Sequence, residues 1–217
     1  MKGAAYLHLL QTSLQQRYRG VSGHYIPGYL DHICKTDFVA KSSSSFLSET
    51  YSAYYQRAGD QADLNQMLYV DTKVWLPDDL LIKADKMTMA ASVELRVPFL
   101  DHRLVEFAAR LPVGYKLRGH EGKYLLKKTM EPLLPREVIY RSKMGFALPL
   151  ADWFRDGLYD LAREMIVSSQ SALSAYLNLN YIEQMLERHR SGAADLSFQL
   201  WALLVLEYWF REFKVES

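Results

Sequence analysis

The stretch LPDDLLIKADKMTMAASVELRVPFLDHRLVEFAARLP, residues 76–112, decides the fold of this chain. It opens on Pro77 followed by two aspartates, which predicts the start of a helix with carboxylates near its first amides. Leu104, Phe107 and Leu111 recur at helical spacing near its end. Between these two parts, Pro98 favours an extended conformation for the residue before it. We therefore expect two helices joined by an extended turn.

Helical periodicity continues through most of the chain, and few stretches alternate as strands do. Glycines and prolines indicate a loop over 112–122, then helices over 124–130, 181–190 and 196–213. The last helix is apolar on nearly every side, so it is either buried between helices or packed on something absent from this sequence. We predict an all-α chain as present: an irregular and helical lead-in over 1–60, then a helical part over 61–217, in one domain overall.

Composition excludes several classes of protein. The 217 residues carry a net charge of +1, which gives no reason to expect nucleic-acid or membrane-surface binding. The apolar run 200–206 is too short to span a bilayer. A single cysteine, Cys34, excludes an internal disulfide and favours a reducing, cytoplasmic location. His24, His32 and Cys34 do not have zinc-ligand spacing, so no metal site is expected.

Charge is segregated along the chain. Residues 60–106 contain nine carboxylates and five cations, and residues 116–143 contain eight cations and three carboxylates. We call these the acidic segment and the basic segment. One interpretation is that the first supports an amine or metal and the second a phosphate. The other is that both are solvated helix faces paired with each other.

Two lysines of the basic segment lie close to glycines. Lys123 follows Gly122 at the start of a predicted helix, and Lys143 precedes Gly145 in an apolar segment. A lysine beside a glycine can approach a phosphate closely and act as a point charge. The first amides of a helix add positive potential at the same place. The two lysines together indicate an anion site.

The acidic segment contains a second set of charged candidates. Asp79 and Lys83 are four residues apart on one helix, with Asp85 on a neighbouring face. Glu94 and Arg96 lie two apart in an apolar stretch, on one side of the chain if it is extended there. A structural pair, in which each charge offsets the other's desolvation, is one interpretation. Direct substrate contact is the alternative.

The stretch 76–112, followed by GKYLLKK at 122–128 and LLPREVIYRSKMGFALPLADWF at 133–154, carries a resemblance. In this order and spacing, the chain resembles the C-terminal part of the synthetase domain of glutamine-dependent, class B asparagine synthetases. The resemblance implies the helical section of an α/β domain of the adenine-nucleotide alpha-hydrolase-like class, the PP-loop ATP pyrophosphatases.

The resemblance also implies an activity. In this family ATP and Mg²⁺ adenylate aspartate, and ammonia from glutamine hydrolysis then forms the amide. Matched to these motifs, Lys143 and Lys123 would neutralise the ATP phosphates and the departing pyrophosphate. Asp79, Lys83 and Asp85 would lie in the substrate region, on the aspartate and ammonia side.

The sequence also departs from the family pattern. Residue 2 is lysine instead of the glutaminase cysteine, and the Ser-Gly-Gly-x-Asp-Ser pyrophosphate loop is not found. We therefore expect a fragment that lacks the glutaminase domain and the nucleotide-binding sheet, and that binds no cofactor strongly by itself. Whether the isolated chain is an enzyme stays open, as does a homodimer. The alternatives are an amidotransferase relative acting on another carboxylate and a helical interaction scaffold without catalysis.

Overall fold

The computed structural model describes residues 13–18, 20, 32–41, 46–142, 145 and 148–214. The chain divides into two compact units, described separately below. The first unit comprises residues 1–24 and 45–143, and the second comprises residues 25–44 and 144–217. The four consecutive serines at 42–45 predict a loop that leads into a helix N-cap at Ser44 or Ser45, and they lie outside the described residues.

The first unit is mostly helical. Its α-helices are Leu14–Arg17, Phe46–Ala58, Asp63–Lys73, Ile82–Met89, His102–Arg110, Val113–Lys116, Tyr124–Met130 and Arg136–Ile139. A π-helical turn, Leu76–Leu81, and a 3₁₀ turn, Pro98–Leu100, connect some of these helices. The helices predicted around Leu104 to Leu111 and over 124–130 are confirmed.

Pro77 lies in the first turn of a helical element, as predicted, but this element is not a new helix start. The π turn follows Asp63–Lys73 almost directly and leads into Ile82–Met89. The amide of Asp78 already donates to the carbonyl of Val74 over 3.1 Å. Proline has no amide hydrogen, and a widened π turn accommodates the missing hydrogen bond. The aspartates are therefore not beside unpaired N-terminal amides.

A small polar network holds the start of this unit. The hydroxyl of Tyr18 donates to Asp71 Oδ2, and the hydroxyl of Tyr55 donates to the carbonyl oxygen of Tyr18 over 2.9 Å. Tyr55 and Val70 are buried between the helices Phe46–Ala58 and Asp63–Lys73. Burial, followed by the nearby Asp71 carboxylate, raises the pKa of Tyr55 to about 12. Burial and the hydrogen bond to Asp71 also raise the pKa of Tyr18.

The segment 112–122 is not the open loop that its glycines predicted. It contains the short helix Val113–Lys116 and an antiparallel pair of strands, Leu117–Arg118 and Glu121–Gly122. Gly119 has a φ of 60° at the turn between the strands, a conformation that glycine adopts without steric cost. The glycines therefore mark a hairpin turn, and this hairpin delivers the chain to Lys123.

The second unit is built around its own apolar core. Its helices are Thr36–Lys41, Leu150–Trp153, Tyr159–Ile166, the 3₁₀ turn Ala172–Ala175, Leu179–Arg190 and Ser197–Phe213. Phe154, Ile166, Ile182, Leu186 and Leu200 are completely buried in this core. The two predicted C-terminal helices are confirmed within two residues at each end.

The last helix resolves the alternatives left open by its apolar sequence. Leu200, Leu203 and Leu204 on one side are buried. Trp201 and Trp209, on other sides, are 38% and 47% exposed. The helix is therefore packed on one face and not enclosed on all sides within this chain.

Glu207 lies in the middle of that buried face, and the sequence did not predict its position. Its carboxylate accepts hydrogen bonds from Ser171 Oγ at 2.7 Å, from the amide of Leu173 at 3.2 Å and from Arg211 Nε at 2.7 Å. Burial alone would raise the pKa of Glu207, but these donors outweigh it and lower the pKa. Glu207 therefore ties the last helix to the 3₁₀ turn as a charged group.

His189 is also completely buried in the second unit. Its Nδ1 accepts from the amide of Leu196 over 3.0 Å, and its Nε2 lies 2.9 Å from the carbonyl oxygen of Ala151. Because a backbone amide can only donate, the proton of the neutral ring is assigned to Nε2. The imidazole thus joins the helix Leu150–Trp153 to the residue before the helix Ser197–Phe213, as a structural group.

The described part of the chain is mostly helical, in agreement with the predicted helical section. The division into a lead-in over 1–60 and a helical part over 61–217 stays a prediction; helices on either side of residue 60 pack together in the first unit. None of the described helices combines the length and apolarity needed to cross a membrane.

Candidate functional site

Lys123 occupies an unusual backbone position. It links strand Glu121–Gly122 to helix Tyr124–Met130 with a φ of 56° and a ψ of 33°, in the left-handed region. A side chain in this region costs about 1–2 kcal/mol relative to the right-handed conformation. The side chain of Lys123 is exposed to solvent. The hairpin and the helix together therefore project this ammonium group outward at an energetic cost.

The lysines that follow Lys123 are bound to carboxylates. Lys127 forms an ion pair with Glu121, and Lys128 Nζ lies 2.8 Å from Glu131 Oε1. The hydroxyl of Tyr140 donates to the same oxygen of Glu131 over 2.6 Å. The hydrogen bond from Lys128, and then that from Tyr140, lower the pKa of Glu131. These cations are neutralised locally.

Lys116 and Arg118 are engaged with neutral groups. Lys116 Nζ donates to Asn65 Oδ1 over 2.7 Å and to the carbonyl oxygen of Ala109 over 2.9 Å. Burial lowers the pKa of Lys116. The guanidinium of Arg118 lies 5.1 Å from the ring centroid of Tyr124. Both side chains have structural roles in the hairpin region.

Two cations of the basic segment stand apart from these pairs. Within the described residues, the side chains of Lys123 and Arg141 make no ion pair, hydrogen bond or ring contact. Lys143, the second predicted phosphate ligand, lies outside the described residues. The described ion pairs that involve the acidic or the basic segment join residues no more than six positions apart. The predicted alternative, in which the two segments pair with each other, therefore has no described ion pair in its favour.

The predicted substrate residues lie on the π turn and the helix after it. Asp79 Oδ1 is 3.8 Å from Lys83 Nζ, and Asp79 Oδ2 accepts from Trp75 Nε1 over 2.9 Å. Asp85 is exposed, and no described residue donates to its carboxylate. No ion pair or hydrogen bond joins these residues to Lys123 in the described part of the chain. The structure thus brings Asp79 and Lys83 together and leaves Asp85 separate.

Glu94 and Arg96 form the contact that their spacing predicts. Arg96 Nη2 lies 3.2 Å from Glu94 Oε2. The burial expected for this pair is wrong, because the side chains of Arg96 and Glu94 are 82% and 69% exposed. The apolar residues between them do not enclose the charges within this chain. Mutual compensation of desolvation therefore does not explain the pair.

Metal-binding side chains are not clustered in the described part of the chain. Among the described residues, no three histidine, cysteine or acidic side chains lie close enough together to hold a metal ion. Two carboxylates of the acidic segment, those of Asp79 and Asp101, are instead paired with Lys83 and Arg103. No metal ligand is assigned to this part of the chain.

Comparison with known proteins decides the family. The family model for asparagine synthase matches residues 6–211. The chain belongs to the asparagine synthase family. It is 35% identical over 209 residues to the glutamine-hydrolyzing asparagine synthetase 1 of Bacillus subtilis, covering 96% of this chain and 32% of that protein. It is 34% identical over 226 residues to a putative glutamine-hydrolyzing asparagine synthetase of Mycobacterium tuberculosis, covering 100% of this chain and 32% of that protein.

The chain therefore spans about a third of the length of these two curated relatives. The Mus musculus glutamine-hydrolyzing asparagine synthetase is 33% identical over 137 residues, covering 56% of this chain. No solved structure matches the chain. The family predicted from the motifs is confirmed, while the PP-loop fold class stays a prediction.

Two features of the site in this family member escaped the sequence analysis. The hydrogen bond from Trp75 to Asp79 could have been predicted, since the two residues are four apart in a helical pattern. The left-handed backbone of Lys123 could not have been predicted, because a residue before a helix usually adopts a β conformation. Only the hairpin that precedes it explains this geometry.

Proposed function

We propose that this chain forms the helical part of the synthetase site in a glutamine-hydrolysing asparagine synthetase. In the complete enzyme, aspartate is activated with ATP as its adenylate, and ammonia released from glutamine forms the amide. The names of the relatives support this reaction and favour aspartate over another carboxylate as the acceptor. The single observation that carries the assignment of a phosphate site to this chain is the exposed, left-handed Lys123.

Lys123 is proposed to neutralise negative charge on the phosphates. ATP, when bound, supplies the adenylyl group and the pyrophosphate leaving group. An ammonium group without a carboxylate partner can interact with phosphate oxygens without first breaking an ion pair. Lys143 is proposed as the second cation of this site, twenty residues further along the chain. Strained backbone at an exposed charged residue supports a functional constraint.

Asp79, Lys83 and Asp85 are proposed to border the substrate region. Aspartate carries an ammonium group and two carboxylates, so a surface with charges of both signs suits it. The exposed pair formed by Asp79 and Lys83 and the separate carboxylate of Asp85 offer this combination. Trp75 holds Asp79 in place through its indole hydrogen bond.

The remaining parts of the reaction are assigned to other residues of a longer enzyme. We propose that these supply the nucleotide-binding sheet of the PP-loop class, the ligands of Mg²⁺ and the glutaminase site. The isolated chain is accordingly proposed to lack synthetase activity. We place the enzyme in the cytoplasm, because its single cysteine suits a reducing compartment. A homodimer stays one proposal for its assembly.

A chimera tests this function. The third of the Bacillus subtilis enzyme that matches this chain is replaced by the chain itself. We expect the chimera to form asparagine and pyrophosphate from aspartate, ATP and glutamine. A folded chimera that still hydrolyses glutamine but makes no asparagine would contradict the proposal.

A further inference from the structure

The helix His102–Arg110 is strongly amphipathic, yet none of its residues is buried. Leu104 and Phe107, on its apolar side, are 41% and 56% exposed. Its polar side carries Glu106 and Arg110, whose charged groups lie 3.6 Å apart. An amphipathic helix is stabilised in a globular protein mainly by burying its apolar side. This helix lacks that burial within the chain.

The segment before this helix also exposes apolar side chains, and here every second residue is apolar. Val93, Leu95 and Val97 alternate with the ion-paired Glu94 and Arg96 in a stretch that is neither helix nor strand. The three apolar side chains are 54%, 41% and 40% exposed. Alternation of this kind is typical of an extended segment with one covered face and one solvated face. Glu94 and Arg96 are solvated as this pattern predicts, but the three apolar side chains are not covered within the chain.

Phe99 follows in the 3₁₀ turn that packs beside the amphipathic helix, and it is 67% exposed. We call the residues Val93, Leu95, Val97, Phe99, Leu104 and Phe107 the apolar face. No described residue between 82 and 142 is buried. This part of the first unit therefore has no core of its own to which these side chains belong.

The second unit provides an internal comparison. Its helix Tyr159–Ile166 is also amphipathic, and Tyr159, Ala162 and Ile166 on its apolar side are buried. The same chain thus buries an equivalent helix face where a partner surface exists. The exposure of the apolar face belongs to the wider stretch 82–142, in which no described residue is buried.

We propose that the apolar face docks against the portion of the synthetase that this chain does not match, an inference that rests on the proposed function. The relatives are about three times as long as the matched region, so about two thirds of their length lies outside it. Exposed apolar patches of this kind mark protein interfaces. The occupant is a polypeptide surface of the same enzyme with a complementary apolar face, and Glu94 and Arg96 are not part of this contact.

Photo-crosslinking tests the docking directly. The chain is co-expressed with the unmatched part of the Bacillus subtilis enzyme, and p-benzoylphenylalanine replaces either Phe107 or, as the control, Glu106 on the polar side of the same helix. We expect a crosslink to the unmatched part from position 107 and none from position 106. Crosslinking of position 107 to a second copy of the chain would overturn the proposal, as would equal crosslinking from both positions.

A binding measurement accompanies the crosslinking. Phe107→Glu is expected to weaken co-purification with the unmatched part at least about tenfold, because a charge in an apolar interface is desolvated without a partner. Glu106→Lys, on the polar side of the helix, is expected to leave co-purification unchanged. Circular dichroism of the chain alone checks that Phe107→Glu folds, as expected for an exposed position. Intact binding by folded Phe107→Glu overturns the docking. Intact docking with no asparagine synthesis overturns only the proposed function.

Discussion

Arg96 Nη2 lies 3.2 Å from Glu94 Oε2, and both side chains remain mostly exposed to solvent. An exposed ion pair contributes little to stability, because water screens its attraction and the side chains lose conformational freedom. The two charges are therefore weak candidates for a structural brace within this chain. Direct substrate contact, the alternative interpretation of the sequence, gains in weight.

Neutralising this pair should leave the fold intact. We expect Glu94→Gln and Arg96→Gln each to change the free energy of unfolding by less than about 0.5 kcal/mol. Urea denaturation of the chain, followed by circular dichroism, measures this change. A loss of about 2 kcal/mol or more would restore the structural interpretation. With stability unchanged, any loss of asparagine synthesis in the chimera reports on substrate contact.

Removing the charge of Glu207 should destabilise the second unit. We expect Glu207→Gln to lower the free energy of unfolding by about 2 kcal/mol, because hydrogen bonds to a buried carboxylate are stronger than those to an amide. Glu212→Gln, an exposed position on the same helix, serves as the control and should change little. Equal stability of the two variants would show that the hydrogen bonds of Glu207 do not support the fold.

The same residue predicts a response to acid. The folded-state pKa of Glu207 is below its ordinary value, so its carboxylate contributes stability above the ordinary pKa. That contribution is lost as the pH falls through the folded-state pKa. Denaturation curves recorded from about pH 7 down to about pH 3 should therefore show a steeper loss of stability in the wild type than in Glu207→Gln. Parallel curves would contradict this assignment.

Periodicity predicted the helices that repeat apolar residues over several turns, such as His102–Arg110 and Leu179–Arg190. It could not predict the burial of Glu207, since the carboxylate finds Ser171 and Leu173 more than thirty residues away. Local sequence contains no signal for such a contact. Proline and glycine predict that the chain turns near Pro77 and before Lys123, but they do not specify a π turn or a hairpin.

The candidate site was predicted as residue types and spacing, without its surroundings. Spacing indicated the pairs Asp79 with Lys83 and Glu94 with Arg96, because i,i+4 and i,i+2 neighbours are local. It did not distinguish Lys123 from Lys127, which lie in one basic run. Only the hairpin, which places Glu121 beside Lys127, separates a paired lysine from an unpaired one.

The tyrosine network of the first unit predicts a response to alkali. The pKa values of Tyr18 and Tyr55 are raised, that of Tyr55 to about 12, so both protonated hydroxyls contribute stability below tyrosine's ordinary pKa. This contribution is lost as the pH rises through the folded-state values. Stability should fall between about pH 9 and about pH 12, and less steeply in Tyr55→Phe. Tyr115→Phe, at an exposed position, should retain the wild-type slope; an unchanged slope in Tyr55→Phe would contradict the assignment.

The left-handed backbone of Lys123 predicts opposite effects on stability and activity. Glycine adopts this conformation without steric cost, so Lys123→Gly should raise the free energy of unfolding by about 0.5–1 kcal/mol. The same change removes the ammonium group and should lower asparagine synthesis by the chimera. Urea denaturation and the synthesis assay measure the two effects. A destabilised variant would show that the Lys123 side chain supports the fold.

The most direct measurement of the central claim compares two lysines of the basic segment in the chimera. Lys123→Ala removes a cation that has no described partner, and Lys128→Ala removes one that is bound to Glu131. We expect Lys123→Ala to lower kcat for asparagine and pyrophosphate formation about 100-fold, because charge on the phosphates loses its stabilisation. Lys128→Ala should stay within about twofold of the unmodified chimera, as expected for an exposed ion pair. Near-normal turnover by a folded Lys123→Ala chimera would contradict the assignment of a phosphate site to this chain.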